Sequence, residues 1–555
     1  MATSSQELDA RFREGRRKAE EADAKRRATK LGYEYFDLVS VKVPTELKAM
    51  EIVPEAEARA ARLSPLQILR KQLVVAAFDP KNPETERVLE GLRKKYRVHV
   101  VVVSLAGLEH AWSHYMYVRT AGKDISGRVK IDEARLREVQ KSILNFDSFA
   151  EVIGLLSSQT SEALEAILGG ALRLQASDIH LEPTEGLGVL RLRVDGILHP
   201  AFTEIDPHAY RSLITRIKLL SNLKLNVSRE PQDGRFTIDL QDAHIEIRTS
   251  IIPSEYGETA VLRILDPSAL KINLEELGWR EDDLKIIEEV IARPNGLVLV
   301  TGPTGSGKTT TLYAFLKKVF TSEIKIITIE DPIEYHLSGI SQTQVRDDAN
   351  YTFASGLRSI LRQDPDVILV GEIRDKETAE IALNASLTGH LVFSTLHTND
   401  AVGAIPRLFD LGVKYQVLGP AISLVIAQRL VRRLCTECKK PVSIDDETRG
   451  KISHFLGSLP KRVSRVKYQA PTIFEPGACG ACGNLGYKGR TSIFELFLVT
   501  DSMEELIYTD PTETDIKKKA REAGMVFMQE DGILKVLCGE TSLAEVLRLT
   551  GKIEW

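Results

Sequence analysis

Residues 297–309 read LVLVTGPTGSGKT, and this stretch decides the fold. From Gly302 to Thr309 it forms a complete G-x-x-x-x-G-K-T loop, preceded by the apolar run Leu297–Val300 and followed by a helix-compatible segment. Glycines let backbone N–H groups close around a polyphosphate, and the following helix N-terminus adds its positive dipole end. A glycine-rich surface turn is the alternative, but the Lys-Thr pair after a buried strand argues against it. The stretch therefore predicts a domain that binds a nucleoside triphosphate.

Within this loop, Lys308 is expected to reach the β- and γ-phosphates, and the Thr309 hydroxyl to complete the shell of a Mg²⁺ ion. The residues predicted to contact the nucleotide are Gly302, Pro303, Thr304, Gly305, Ser306, Gly307, Lys308, Thr309 and Thr310. The predicted cofactors of the loop are ATP and Mg²⁺.

Four apolar runs alternate with helical segments over about residues 275–430, which is typical of a parallel sheet covered by helices. The runs are Leu297–Val300, Ile324–Ile329, Val367–Val370 and Leu391–Ser394. Polar clusters follow these strands, where open α/β sheets place their ligands. An ATPase of this kind needs one acid near Mg²⁺ and one that activates the attacking water.

Glu372, after the run Val367–Val370, is the first candidate for the Mg²⁺-associated acid, and Glu330 and Glu334 compete for water activation. Helix capping is the alternative role for any one of these acids. His390 and His397 flank one strand, so they could sit at its two ends and report on the γ-phosphate. A structural role is the alternative for each histidine.

Arginines that reach over from elsewhere often neutralise the charge that develops on a γ-phosphate. The candidates are Arg248, Arg263, Arg362 and Arg374. Each taken alone could instead be a surface salt-bridge residue. If Arg248 and Arg263 act, the domain that carries them must close onto the nucleotide.

Four of the five cysteines form two C-x-x-C pairs, Cys435 with Cys438 and Cys479 with Cys482. Such spacing lets each pair grip one side of a tetrahedral ion, so the predicted metal is structural Zn²⁺, with redox thiols as the alternative. Cys538 stands in an apolar context and is predicted to be a small core residue.

Composition excludes several classes of protein. The chain has 555 residues, 43% hydrophobic and 27% charged, as in ordinary globular proteins of several domains. A formal net charge of −4 gives no global drive toward nucleic acid. The charged N-terminus lacks the apolar core of a signal peptide, and no apolar run reaches the roughly 18 residues of a membrane span, so a cytoplasmic location is expected.

Upstream of the P-loop, the pattern predicts a mobile or loosely helical charged arm and two α/β domains joined by a linker. Short alternating segments such as Gln72–Phe78 and Val98–Val103 belong to the first domain, and the strands Gly188–Val194 and His244–Ile251 to the second.

The motifs together resemble the type II/type IV secretion ATPase superfamily, most closely its type IV pilus assembly and general secretion members. GPTGSGKTTTLYA, TIEDPIEY, LRQDPDVILVGEIRD and TGHLVFSTLHTND look like the family's Walker A, Asp, Walker B and His boxes. ASDIHLEP, RLRVDGIL, PQDGR and GETAVLRILD resemble its second N-terminal domain, and RLCTECKKP and CGACGNLGYKGR its metal-binding extension.

The resemblance implies an α/β fold: a RecA-like P-loop domain, a preceding PAS-like domain, a small N-terminal α/β domain and a zinc-binding C-terminal extension. The expected boundaries are 1–29 for the arm, 30–118 for the first domain, 119–145 for the linker, 146–272 for the PAS-like domain, 273–430 for the RecA-like domain, 431–490 for the tetracysteine subdomain and 491–555 for a C-terminal helical region.

The resemblance also implies a function: a homo-hexameric cytoplasmic motor, peripheral at the inner membrane, that couples ATP hydrolysis to extrusion of pilin or pseudopilin subunits. Its partners would be an inner-membrane platform protein and accessory membrane-associated components. Arg248 and Arg263 match the family's inter-domain arginines. Cyclic di-GMP, bound by a related module in some relatives, is not expected here, because only the fragment Lys30-Leu31-Gly32 fits that pattern.

Three alternatives stay open. A pilus-retraction ATPase typically lacks the tetracysteine and the first N-terminal domain. A nucleic-acid or DNA-uptake motor on the same core would need a basic channel and salt-dependent binding. A nucleotide-gated scaffold would bind ATP without turnover. No nucleic-acid partner is expected, and pilus assembly and type II secretion are both compatible with the motifs.

Overall fold

The computed structural model describes residues 17, 19–38, 46–69, 71–115, 128–129, 141–156, 160–240, 244–267, 272–468 and 471–553. The chain forms two compact units, Met1–Leu265 and Asp266–Trp555. Within the described ranges, no helix combines the length and apolarity needed to cross a bilayer.

The first unit begins with a helix at residues 19–31, which lies mostly within the predicted charged arm. Ala24 and Ala28 are buried. Arg27 donates hydrogen bonds to the carbonyl oxygens of Phe78 (2.9 Å) and Val103 (3.2 Å). The described part of the arm is therefore packed helix rather than a loose segment, because small alanines allow close approach. Residues 1–16 and 18 lie outside the described ranges.

The small N-terminal domain is built on a four-stranded sheet in the order β1-β4-β3-β2. The strands are β1 (Glu34–Tyr35), β2 (Leu63–Leu69), β3 (Gln72–Ala77) and β4 (Arg97–Val102), and the helices are Leu47–Met50, Glu55–Ala60, Pro83–Arg93 and Leu105–Ser113. Trp112 and Tyr115 close the core, with the Trp112 indole N–H donating to the Leu63 carbonyl at 2.9 Å.

The second domain of this unit carries a seven-stranded sheet in the order β5-β9-β10-β11-β6-β7-β8. Its strands are β5 (Arg128–Val129), β6 (Ala176–Pro183), β7 (Gly188–Val194), β8 (Ile197–Ile205), β9 (Gln232–Asp239), β10 (His244–Ser254) and β11 (Gly257–Leu265), and its helices are Phe146–Leu156, Thr160–Arg173 and Pro207–Leu220. All neighbours are antiparallel except β5 and β9. Arg128–Val129 were predicted as linker, yet they form an edge strand; residues 119–127 and 130–140 of that linker lie outside the described ranges.

The second unit contains the predicted parallel sheet, in the order β14-β13-β15-β16-β12-β17-β20. The strands are β12 (Gly296–Thr301), β13 (Ile326–Glu330), β14 (Ser341–Gln344), β15 (Val367–Val370), β16 (Leu391–Leu396), β17 (Ile422–Leu434) and β20 (Tyr487–Leu498), with β18 (Lys440–Val442) and β19 (Ile473–Glu475) forming a separate hairpin. The helices are Glu281–Ile291, Lys308–Val319, Phe353–Leu361, Lys376–Leu387, Ala404–Asp410, Tyr415–Ala421, Asp446–Ser458, Asp501–Ile507, Glu513–Glu522, Met528–Leu537 and Leu543–Thr550. Helices cover both faces, so the central strands are buried throughout.

Two predicted boundaries fall inside strands of this sheet. The predicted ends at residues 430 and 490 cut β17 and β20, which pair antiparallel from Leu424↔Leu498 to Leu434↔Tyr487. The tetracysteine segment is therefore an insertion between two neighbouring strands. The helices after β20 share the apolar core of the nucleotide sheet through residues such as Met503 and Ile516.

A buried ion network joins the start of this unit to its C-terminal helices. Arg280 donates to Asp531 Oδ1 at 2.7 Å and pairs with Asp283. The second Asp531 oxygen accepts the Phe494 N–H of β20 at 2.9 Å. Arg462 reaches Asp283 at 2.7 Å from the inserted segment. The three parts of the unit are thus held by charges that are costly to leave unpaired.

We expect Arg280→Met to lower the free energy of unfolding by about 3–5 kcal/mol, because it leaves Asp283 buried with Arg462 as its remaining cation and Asp531 buried with Lys535 as its remaining cation. Lys451→Ala is the control, since it removes an exposed 2.7 Å pair with Glu447 and should cost less than about 0.5 kcal/mol. Urea unfolding followed by tryptophan fluorescence measures both. Equal, small effects of the two substitutions would show that the network does not hold these parts together.

Candidate functional site: the P-loop edge and the tetracysteine cluster

Three glycines shape the loop after β12. Gly302, Gly305 and Gly307 have φ values of 148°, 79° and 90°. A Cβ on Gly302 would lie 2.6 Å from the Gln428 carbonyl oxygen, and one on Gly307 would lie 2.8 Å from the Gln428 amide nitrogen. Glycine is therefore needed at both positions for conformation and for space. The loop leads directly into the helix Lys308–Val319, whose first N–H groups have no partners of their own within the helix.

The polar side chains of the loop fit a polyphosphate. The Ser306 hydroxyl is buried and has no hydrogen-bond partner among the described residues, so it is a donor in need of an acceptor. Lys308 donates to the carbonyl oxygens of Gly302 (2.8 Å) and Pro303 (3.1 Å), which holds the ammonium over the loop. Burial lowers the pKa of Lys308, and the nearby Glu372 carboxylate opposes that shift. A bound anion would act as Glu372 does and raise the pKa of Lys308.

Glu372 lies two residues after β15, and its side chain is only 15% exposed. Its carboxylate pairs with Arg374 and lies 3.6 Å from His397 Nε2. Burial lowers the pKa of His397, the charge of Lys308 adds to this effect, and Glu372 opposes it. The structure thus brings Lys308, Glu372, Arg374 and His397 together at the carboxyl ends of the parallel strands, where the sequence placed them.

Glu330 has a different environment. It ends β13 with 4% of its surface exposed, and three donors fix its carboxylate: the Tyr313 hydroxyl, the Thr328 hydroxyl at 2.6 Å and the Gln342 amide at 3.1 Å. Burial, followed by the Glu330 charge, raises the pKa of Tyr313. Glu330 is therefore an anchored acid. Glu334 lies half-buried in the loop that follows.

His390 does not join this group. Its backbone carbonyl accepts the Gly296 N–H at the first residue of β12, and its Nδ1 lies 3.0 Å from the Ala385 carbonyl. Since β12 and β16 run parallel from Gly296↔Leu391 to Thr301↔Leu396, about 17 Å of strand separates His390 from the P-loop edge. His390 and His397 thus lie at the two ends of β16, as the sequence predicts, and only His397 lies beside Glu372. A role of His390 at the γ-phosphate stays a prediction.

The remaining arginines have local partners. Arg362 caps the helix Phe353–Leu361, donating to the Arg358 carbonyl (3.0 Å) and the Ser359 hydroxyl (3.1 Å). Arg248 and Arg263 belong to the first unit, where they are directly paired in the β10–β11 register. Arg263 donates to Asp178 at 2.9 Å. Roles of these three arginines in catalysis stay predictions.

Arg429 is a site residue that the sequence reasoning missed. It follows β17 residue Ala427, the register partner of Thr301, and therefore lies just beyond the end of the P-loop strand. Its guanidinium donates to the Asn399 carbonyl at 3.0 Å, and a Cβ on Gly302 would approach it to 3.1 Å. Burial lowers the pKa of Arg429. Only the parallel pairing of β12 with β17, which lies more than a hundred residues downstream, reveals this position.

The four predicted metal ligands converge. Their Sγ atoms all lie within 4.8 Å of one another, with Cys435–Cys479 and Cys438–Cys482 separations of 3.8 Å and a Cys479–Cys482 separation of 3.7 Å. Four sulfurs at the usual 2.3 Å Zn–S distance of a tetrahedron stand about 3.8 Å apart. The cluster therefore has the dimensions of a closed zinc site. Cys538 is exposed at the end of the helix Met528–Leu537, so the prediction that it is a core residue is wrong.

Comparison with known proteins decides the family. The sequence model described as "Type II/IV secretion system protein" matches residues 157–548, and the one described as "MshEN domain" matches residues 31–122. The chain belongs to the type II/IV secretion ATPase family. The MshEN match coincides with the small N-terminal domain described above.

Relatives of this family come from both secretion and pilus systems. Type II secretion system protein E of Pseudomonas aeruginosa is 48% identical over 387 residues, which covers 70% of this chain and 74% of the relative. The type IV pilus assembly ATPase PilB of Thermus thermophilus is 38% identical over 537 residues, 96% of this chain and 57% of PilB. The crystal structure of the Legionella pneumophila ATPase DotB matches with a TM-score of 0.51 at 22% identity, covering 70% of this chain and 95% of DotB. The RecA-like fold and the ATP hydrolase activity predicted from the motifs are thereby confirmed.

Proposed function

We propose that this ATPase is a hexameric motor that couples ATP hydrolysis to the extrusion of pilin or pseudopilin subunits at the inner membrane. The observation that carries the proposal is the P-loop edge, where Lys308, Glu372 and His397 lie within interaction range of one another. The relatives named for secretion and for pilus assembly support extrusion of subunits over pilus retraction.

The geometry supports separate roles for the residues at this edge, in phosphate binding and in water activation. The loop N–H groups, the Ser306 hydroxyl and Lys308 bind the phosphates, and Thr309 opens the helix with a hydroxyl suited to Mg²⁺. ATP supplies the γ-phosphoryl group, and Mg²⁺ neutralises its charge. Glu372, which the sequence predicts as the Mg²⁺-associated acid, here takes the role of orienting the attacking water and accepting its proton, because its carboxylate is only 15% exposed and lies beside His397.

Residues near Glu372 contribute to hydrolysis in other ways. Arg374, which pairs with Glu372, is placed to turn toward charge that develops on the phosphoryl group. Glu330 does not abstract the proton itself, because three donors already occupy its oxygens. It instead fixes Tyr313 and Gln342 beside the site. Arg248, Arg263 and Arg362 complete the proposed set of cations that close on the nucleotide.

The proposal includes a cytoplasmic location, peripheral at the inner membrane, with a platform protein and accessory membrane-associated components as partners. The tetracysteine cluster holds structural Zn²⁺ in an insertion of the ATPase unit. The 48% identity over 387 residues favours type II secretion, whereas the match to PilB covers 96% of this chain, and therefore the small N-terminal domain as well, and favours pilus assembly.

The native host provides the test of this function. Replacing the chromosomal copy by Glu372→Gln should reduce surface pili or secreted protein to the level of a deletion, while Lys451→Ala should leave them unchanged. The purified Glu372→Gln protein with Mg-ATP should sediment at six times the 61.8 kDa chain mass. Unaltered pili and secretion in the Glu372→Gln strain, or a strictly monomeric active enzyme, would overturn the proposal.

A further inference from the structure

The loop of residues 397–403, here called the sensor loop, is bound to the end of the P-loop strand. Thr398 donates its N–H to the Thr301 hydroxyl at 2.9 Å, and the two threonine hydroxyls lie 2.6 Å apart. The side chain of His397, the first residue of the loop, is 3.6 Å from Glu372. Any displacement of this loop would therefore move His397 at the P-loop edge.

The other side of the sensor loop is bound to the C-terminal helices through Glu495. This residue lies on β20 with 5% of its surface exposed. One carboxylate oxygen accepts the Ala401 N–H at 2.9 Å, and the other accepts the Met528 N–H at 3.1 Å. Met528 begins the helix Met528–Leu537. A single buried carboxylate thus connects the sensor loop with the first turn of that helix.

A second, exposed link runs in parallel. Lys517, on the helix Glu513–Glu522, lies 2.9 Å from Asp400 of the sensor loop. Asp400 in turn accepts the Gly403 N–H at 2.8 Å, which fixes the far end of the loop. The helices after β20 therefore hold the sensor loop at two points.

We propose that Glu495 is a positioning residue for ATP hydrolysis, which fixes the sensor loop and its His397 to the start of the helix Met528–Leu537. A shift of the C-terminal helices would thereby change the position of His397 at the P-loop edge. This inference rests on the proposed role of the P-loop edge.

The chemistry of Glu495 favours a positioning role over simple core packing. A neutral apolar side chain would fill the same space without the desolvation cost of a carboxylate. Burial raises the pKa of Glu495 to about 7, which the two backbone N–H donors and Lys517 oppose and Asp400 reinforces. An acceptor with two oxygens is what two separate N–H groups require. Glu495 is the buried carboxylate that joins the two segments.

Glu495→Gln tests the link with the least change in shape. The amide has one acceptor oxygen, so one of the two N–H groups would face an NH₂ group. We expect kcat to fall at least tenfold, with KM and the affinity for ADP changed less than threefold, because the loop acts on the γ-phosphoryl group and not on binding. Steady-state phosphate release and ADP titration measure these quantities.

Glu530→Gln is the matched control. Glu530 accepts the Phe527 N–H at 2.8 Å at the same helix N-terminus and pairs with Arg521, and it makes no hydrogen bond to the sensor loop in the described structure. We expect its kcat to stay within twofold of the parent. Equal kcat losses in both variants, or an unchanged kcat in Glu495→Gln, would overturn the inference. An inactive parent chain would instead refute the proposed function.

If Glu495→Gln does not fold, Lys517→Ala tests the exposed link. We expect kcat to fall two- to threefold with ADP affinity unchanged, because Asp400 loses its tether to the helix Glu513–Glu522. An unchanged kcat in that variant would contradict the inference.

Discussion

Glu372→Gln is expected to bind Mg-ATP as tightly as the parent protein and to hydrolyse it at least a hundredfold more slowly. The amide keeps the shape of the side chain but cannot accept the proton of the attacking water, and mutations of comparable groups cost about 3–4 kcal/mol of transition-state stabilisation. The loss should appear in kcat, since Lys308 and the loop N–H groups that bind the phosphates are untouched. Equilibrium binding of ATP and single-turnover phosphate release separate the two effects.

Glu377→Gln provides the control for this substitution. Glu377 lies five residues downstream, in the helix Lys376–Leu387, and its carboxylate pairs with Arg358 at 2.5 Å on an exposed surface. Its replacement should leave kcat within twofold. A Glu372→Gln enzyme that turns over at the parent rate would show that another group activates the water.

Removal of the metal is expected to have the second large effect. Chelation, or Cys482→Ser, should release Zn²⁺ and destabilise the turns that carry the cysteines by several kcal/mol, because the Zn–S bonds that join sulfurs 3.7–3.8 Å apart are lost. Metal analysis should give one zinc per chain. Hydrogen exchange should show the loss of protection around residues 435–440 and 476–486.

The loss should not spread over the whole predicted segment of residues 430–490. Its middle part has apolar packing that does not depend on the metal: Ile452, Phe455 and Tyr468 pack with Ile533 and Val546 of the C-terminal helices. Cys538→Ser is the control, since that thiol is exposed and outside the cluster. A zinc content near zero in carefully purified protein, or unchanged protection after chelation, would contradict the metal site.

The sequence predicts the central sheet well because its strands are buried on both faces. Val367–Val370 is a strand with those bounds, and the run Leu297–Val300 lies inside β12. Continuous apolar runs bounded by glycine and acid leave little choice of register. The same local signals place Lys308, Glu372 and His397 at one edge, since each lies in or at the end of the segment that follows a parallel strand.

Residues whose roles depend on distant pairing could not be predicted in this way. Arg429 meets the P-loop only because β17 pairs with β12, and Glu495 meets Ala401 only because β20 pairs with β17 across the tetracysteine insertion, so nothing local shows either contact. Arg128–Val129 read as a linker because a two-residue edge strand has no periodicity.

Steady-state ATP hydrolysis by the parent chain and by Lys308→Ala, at saturating Mg-ATP and equal protein concentration, tests the central claim most directly. The account predicts continuous phosphate release by the parent and loss of at least 99% of that rate in Lys308→Ala, because the ammonium that holds the β- and γ-phosphates is gone, a loss of about 2.7 kcal/mol or more. Equal rates in the two proteins would contradict it.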